Sequence, residues 1–141
     1  MVKMKLTNFT DVQMAKAGFI PESQVRTAEV DALADTGAIN MAIPEDVAEL
    51  LGAPIVRRER VRVADGRSME VPYVGGIWVE VMGRGVGGDA IVLPEGTTAL
   101  LGAVQLEIMD FVVVPSSGEV IPNPAHPDGP ILDMLPISRA A

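Results

Sequence analysis

A mainly β, single-domain fold is what this sequence predicts, on three observations. Valine and isoleucine recur in short runs that alternate with polar residues, the pattern of half-buried strands. Between these runs stand 14 Gly and 11 Pro, which supply turns. Only 4% of residues are aromatic, so Val, Ile, Leu, Met and Ala must build the core. At 141 residues the chain is one ordinary domain, long enough to bury such a core.

The elements follow in order. Residues 2–7 alternate apolar and polar side chains and predict a first strand. Asp11 is placed to cap a short helix over 12–17, with Gly18 to stop it. A second strand over 24–34 is expected to pair with the first, leaving 8–23 as a partly helical connection. Pro44, Glu45 and Asp46 open a helix that Gly52 closes, with proline at the first helical position and acids in the first turn. Strands over 56–64 and 68–74 flank Asp65-Gly66, a strong hairpin signal. Residues 77–82 and 90–93 form another expected pair. Residues 99–109 read as a loop entering a short helix, 110–114 as a buried strand, and 119–121 as a final extended piece.

From Pro122 onward, Pro122, Pro124, Pro127, Pro130 and Pro136 deny the chain a continuous helix or an inner strand. The expected division is therefore a domain over 1–121 and a Pro-rich tail over 122–141. Within the tail, the apolar run 131–136 can complete a dimer interface, occupy the cleft as an internal inhibitor, or simply be disordered or docked on a surface.

Composition excludes several function classes. There is no cysteine, hence no disulfide, thiolate metal site or cysteine nucleophile. The formal charge of −8 argues against nucleic acid or an anionic membrane surface as partner. Arg57, Arg58, Arg60 and Arg62 are a local exception, read either as the wet face of a strand alternating with Val61 and Val63 or as a basic rim selecting acidic peptides. No apolar stretch follows Lys3 and Lys5 as in a signal peptide, and no run is long enough to span a bilayer, so a cytoplasmic protein is expected. His126 is the single histidine, which rules out a multi-histidine metal site, and no metal or organic cofactor is expected. Gly83-Arg84-Gly85-Val86-Gly87-Gly88 has dinucleotide-loop spacing. A strand-like segment rather than a helix follows it, so a flexible hairpin turn is expected there. Trp78 and the methionines are expected to fill the core or an interface.

The chemistry-bearing motif is Asp35-Thr36-Gly37-Ala38. The apolar strand end Val30-Asp31-Ala32-Leu33-Ala34 delivers Asp35 rigidly out of the core. Thr36 offers a hydroxyl to hold the loop, and Gly37 removes a side chain where the backbone must turn. Downstream come the Asp-Gly hairpin and then Ala99-Leu100-Leu101-Gly102 ahead of a helix.

In this order the motifs resemble the retropepsin-like aspartic peptidases, over about residues 25–121. The resemblance implies a closed β-barrel with one or two short helices, working as a homodimer. It implies an aspartic endopeptidase in which Asp35 is catalytic. Thr36, Gly37, Ala38, Leu100, Leu101 and Gly102 would shape and brace the active-site loop. The hairpin 61–74 would be a flap over a peptide or protein substrate, with Ala64, Asp65 and Gly66 at its tip. Asp-Thr-Gly occurs once, so the second carboxylate must come from a second copy of the chain across a two-fold axis. Ala38 offers the carboxylate no side-chain donor, which implies activity at mildly acidic to near-neutral pH. Ala103 and Val104 stand where viral relatives often carry Arg and Asn, removing a polar link of the viral dimer. A non-catalytic dimeric binding module on the same fold is the rival reading.

Overall fold

A computed structural model of the chain describes residues 1–131. Alternation in β1 (Val2–Asn8) buries Met4 and Leu6 completely and leaves Lys3 and Lys5 exposed. The helix that follows, α1 (Phe9–Lys16), starts earlier than the sequence suggests. Its cap is Asn8, whose side chain accepts the Asp11 N–H at 3.0 Å, not Asp11 itself. Asp11 is instead buried and grips Arg26, accepting its backbone N–H at 3.0 Å and its Nε and Nη2 at 2.8 and 3.0 Å. The Arg26 side-chain hydrogen bonds hold the Asp11 carboxyl below its ordinary range, against the opposing effect of burial. Residues 22–24 form a short 3-10 turn, so β2 begins only at Thr27 and runs Thr27–Asp35.

Next come β3 (Met41–Pro44) and α2 (Glu45–Leu51), closed by Gly52 in the left-handed conformation at φ 62°. Pro44 caps this helix from outside instead of opening it. The strands β4 (Ile55–Arg62) and β5 (Ser68–Val81) make the expected hairpin, but β5 is far longer than 68–74. A bulge at Gly75-Gly76 carries it through what composition suggested was a separate strand. The glycine-rich run is a correction too: only Met82-Gly83 turns, and Arg84 onward lies within β6 (Arg84–Leu93). Glycine there makes room for Trp78, since a Cβ on Gly85 would stand 2.5 Å from its Cζ2 atom.

Residues 99–102 are a strand, β7 (Ala99–Gly102), rather than a loop, and lead straight into α3 (Ala103–Ile108). The hairpin of β8 (Phe111–Val113) and β9 (Val120–Pro122) forms a separate two-stranded sheet. Of β8 only Phe111 is buried, because this small sheet has one covered face. The proposed tail boundary therefore falls inside β9.

Pairing closes the barrel. The strands run β1-β2-β7-β3-β6-β5, and β5 pairs back with β1, making a ring of six. The β2–β7 and β3–β6 pairs are parallel, while the others in the ring are antiparallel. Within the seven-stranded sheet β4 lies outside the ring, attached among the described residues to β5 alone as the sheet edge. Met4, Leu6, Met41, Ile43, Ile77 and Leu101 are fully buried in the core. Trp78 instead sits half-buried on the outer face, stacked on Phe9 with ring centroids 5.7 Å apart. Among the described residues no helix is long and apolar enough to cross a membrane. Of the run 131–136, all but Ile131 lies outside the described residues.

Candidate active site

Asp35 is the last residue of β2 and lies directly opposite Gly102 of β7 in parallel register. This pairing with β7 runs from Ala32 to Asp35, so the carboxylate leaves the sheet at a fixed point. It is half-buried, and its Oδ1 accepts the Gly37 N–H at 2.9 Å. The Ala38 N–H donates to the Asp35 carbonyl at 3.1 Å, which closes the turn. This carboxylate makes no ion pair among the described residues.

The loop after Asp35 is fastened to α3. Ala38 and Ile39 offer their carbonyls to the N–H groups of Ala103 and Val104 at 2.7 and 3.1 Å. A helix leaves its first N–H groups without internal partners, so here the loop and the helix start satisfy each other. Gly102 makes this approach possible. A Cβ at that position would stand 2.6 Å from both the carbonyl carbon and oxygen of Asn40. Leu101 is fully buried beneath, and Leu100 pairs across to Ala42 of β3. Thus Asp35, Gly37, Ala38, Leu100, Leu101 and Gly102 are brought together. Thr36 is exposed, and its hydroxyl makes no hydrogen bond among the described residues, contrary to the expectation that it ties the loop.

Ala64, Asp65 and Gly66 form the exposed tip of the β4–β5 hairpin. The turn is closed by Gly66 N–H to the Val63 carbonyl at 2.9 Å, with Gly66 at φ 87°. Asp65 is engaged within the tip, accepting the Arg67 N–H at 3.0 Å and its Nε at 2.6 Å. The base of the hairpin is tied to the Asp35 loop by Asn40 and Tyr73, which sequence reasoning missed. Asn40 Nδ2 donates to the Tyr73 hydroxyl at 3.2 Å. The Arg57 guanidinium lies 4.0 Å from the centre of the Tyr73 ring and bonds Glu59 at 3.1 Å. No local periodicity announces this cluster, although Tyr73 is the single tyrosine of the chain.

Apolar side chains stay exposed around the loop. Leu33 is 48% exposed and Ile39 71%, while Val104 and Val112 are each 38% exposed. Ile39 and Val104 are joined by the backbone bond above, and Val112 borders a hollow shared with Thr36.

A second polar cluster surrounds Asp110, which adopts φ 60°. Its carboxylate accepts Asn123 Nδ2 at 3.0 Å and meets His126 Nδ1 at 2.5 Å. Buried Arg84 donates to the carbonyls of Met109, Asp110 and His126 at 3.1, 2.9 and 2.8 Å. The Asn123 amide holds the Asp110 carboxyl below its ordinary range, opposed by burial and helped by His126. This cluster fastens the segment after β9 to the body. Among the described residues no group of three or more His, Asp or Glu is placed to hold a metal. The chain matches no protein-family model and no curated protein.

Proposed function

We propose that the chain is a retropepsin-like aspartic endopeptidase, active as a homodimer that pairs two copies of Asp35. The observation that carries the reading is the seating of Asp35. A carboxylate is fixed at the end of barrel strand β2, braced by a glycine that admits no side chain, with apolar side chains exposed on its strand at Leu33, on its loop at Ile39 and on the bonded helix start at Val104. Exposed apolar side chains around a rigid polar group favour self-association, and a two-fold axis through such a patch brings its carboxylates together.

Two carboxylates held close share a proton, since both cannot ionise easily. The ionised Asp35 takes a proton from water, which attacks the scissile carbonyl carbon. The protonated Asp35 of the second copy donates to the carbonyl oxygen. Collapse of the gem-diol then returns a proton to the leaving amine, and the roles of the two carboxyls exchange. The pair titrates as one unit. The β4–β5 hairpin would cover the bound peptide and exclude water.

The test combines oligomeric state by sedimentation with cleavage of a diverse peptide library, for the native chain and for Asp35→Asn. The native chain is expected to be a dimer that cleaves, and the variant a dimer whose rate falls by at least about a hundredfold. Equal cleavage by both proteins would remove Asp35 from the chemistry. A dimer that cleaves nothing at any pH would make the chain a peptide-binding module instead.

A further inference from the structure

One surface of the hairpin has a construction that the proposed chemistry does not use. Arg58, Arg60 and Arg62 recur at every second residue along one face of β4, opposite Pro72, Glu70 and Ser68 of β5. All three are exposed, and none forms an ion pair among the described residues. Arg57, on the opposite face, is by contrast held by Glu59, Asp89 and the Tyr73 ring. A row of free guanidinium groups is thus kept on a chain whose formal charge is −8.

The backbone of the same three residues is open as well. Antiparallel partners alternate between pairs that exchange hydrogen bonds and pairs that do not. Pro72 has no N–H, so Arg58–Pro72 belongs to the second kind, and Arg60–Glu70 and Arg62–Ser68 follow in the same phase. The Val63 N–H bond to the Arg67 carbonyl, at 2.9 Å, fits this phase. The N–H and C=O groups of Arg58, Arg60 and Arg62 therefore point away from β5, towards the side where β4 has no neighbour among the described residues.

We infer that the free edge of β4 is a docking site for an extended acidic peptide, which adds as a further strand with a carboxylate at every second residue. Strand addition satisfies the open backbone groups and sets the incoming side chains directly opposite the arginines. The strand repeat of roughly 6.7 Å per two residues matches acid to arginine along the row. Peptide is favoured over nucleic acid because the edge offers alternating donors and acceptors. In addition, the cross-strand neighbours on this face are Pro72, Glu70 and Ser68, with no aromatic ring to stack a base. Glu45, Glu49 and Glu70 line a hollow of about 590 Å³ beside Arg58 and repel any anion there, peptide or nucleic acid alike. The discrimination therefore rests on the open backbone edge and the missing aromatic platform. Docking at this edge requires neither Asp35 chemistry nor cleavage, so it goes beyond the proposed function.

The test uses the full chain carrying Asp35→Asn, so that no probe is consumed, and fluorescence anisotropy of labelled probes at low and moderate salt. The probes are a peptide alternating Glu with Thr, a peptide of the same composition with its glutamates in one block, the Gln version of the first, and oligo-dT. The alternating peptide is expected to bind about tenfold more tightly than the block and Gln peptides, and the triple variant Arg58→Gln, Arg60→Gln, Arg62→Gln to lose about tenfold. Equal or tighter binding of the block peptide or oligo-dT overturns the inference. So does the absence of saturable binding, which would leave the arginines as guards against edge-to-edge pairing. Binding without any library cleavage by the native chain would keep this site and remove the peptidase reading; cleavage without binding would do the reverse.

Discussion

Gly102 decides whether the Asp35 loop can exist in its observed form. Its φ of −86° is open to any residue, so the requirement is space rather than backbone freedom. An added methyl group would press on the Asn40 carbonyl at 2.6 Å, and backbone there cannot swing aside as a side chain would. Gly102→Ala is therefore expected to destabilise the fold by about 1–3 kcal/mol, read from urea midpoints. On the proposed peptidase reading, cleavage should fall further than that loss of folded protein explains. Gly96 supplies the contrast, with φ 87° and nothing within 4 Å of an added Cβ. Gly96→Ala should cost only about 1 kcal/mol of backbone strain and leave cleavage intact.

Elements are joined here by a few polar clasps and close glycine contacts. The cluster of Asp110, Asn123, His126 and Arg84 fastens the chain after β9 to the end of α3. Because the Asn123 amide and His126 lower the folded-state pKa of Asp110, its contribution is present above the unfolded carboxylate range. It is lost as pH falls through the depressed value, so the window lies below about pH 4. Urea midpoints of the native chain should fall more steeply through that window than those of Asp110→Asn. A different joint lies between β5 and β6, where Trp78 rests over Gly85. Gly85→Ala should push the indole off Phe9, giving a red shift in the emission of the single tryptophan and a loss of about 1 kcal/mol.

For the whole molecule, the proposed dimer makes predictions that no isolated residue makes. A folded state that binds its own copy gains stability with concentration, so the thermal midpoint should rise as the protein is concentrated. Each copy carries a formal −8, so the copies repel at long range and added salt should tighten association. Ile39, 71% exposed on the Asp35 loop, is expected to lie at the contact. Ile39→Glu should give a folded monomer by sedimentation, with its circular dichroism retained and its cleavage lost. A dimer that survives this substitution would move the interface elsewhere.

The alternation of β1, the Asp65-Gly66 turn, the closing Gly52 and the strand-end position of Asp35 were legible in the sequence because each rests on local rules. Side-chain period, turn chemistry and backbone freedom act over a few residues and leave their mark there. The long β5 and the strand character of 99–102 were not legible, because partners distant in the chain decide them. The Asn8 cap, by contrast, follows a local rule that the sequence reading assigned to Asp11 instead. Residues 99–102 become a strand by lying between β2 and β3, and β5 continues past Gly75-Gly76 because β6 and β1 pair with it. The same holds for function. Sequence alone singled out Asp35 and the four arginines. Only the tertiary structure decided that Gly102 meets the Asp35 loop, that Tyr73 ties the hairpin to Asn40, and that Arg58, Arg60 and Arg62 share an open edge. Packing and strand order join residues that the sequence keeps apart, and no local pattern records which ones meet.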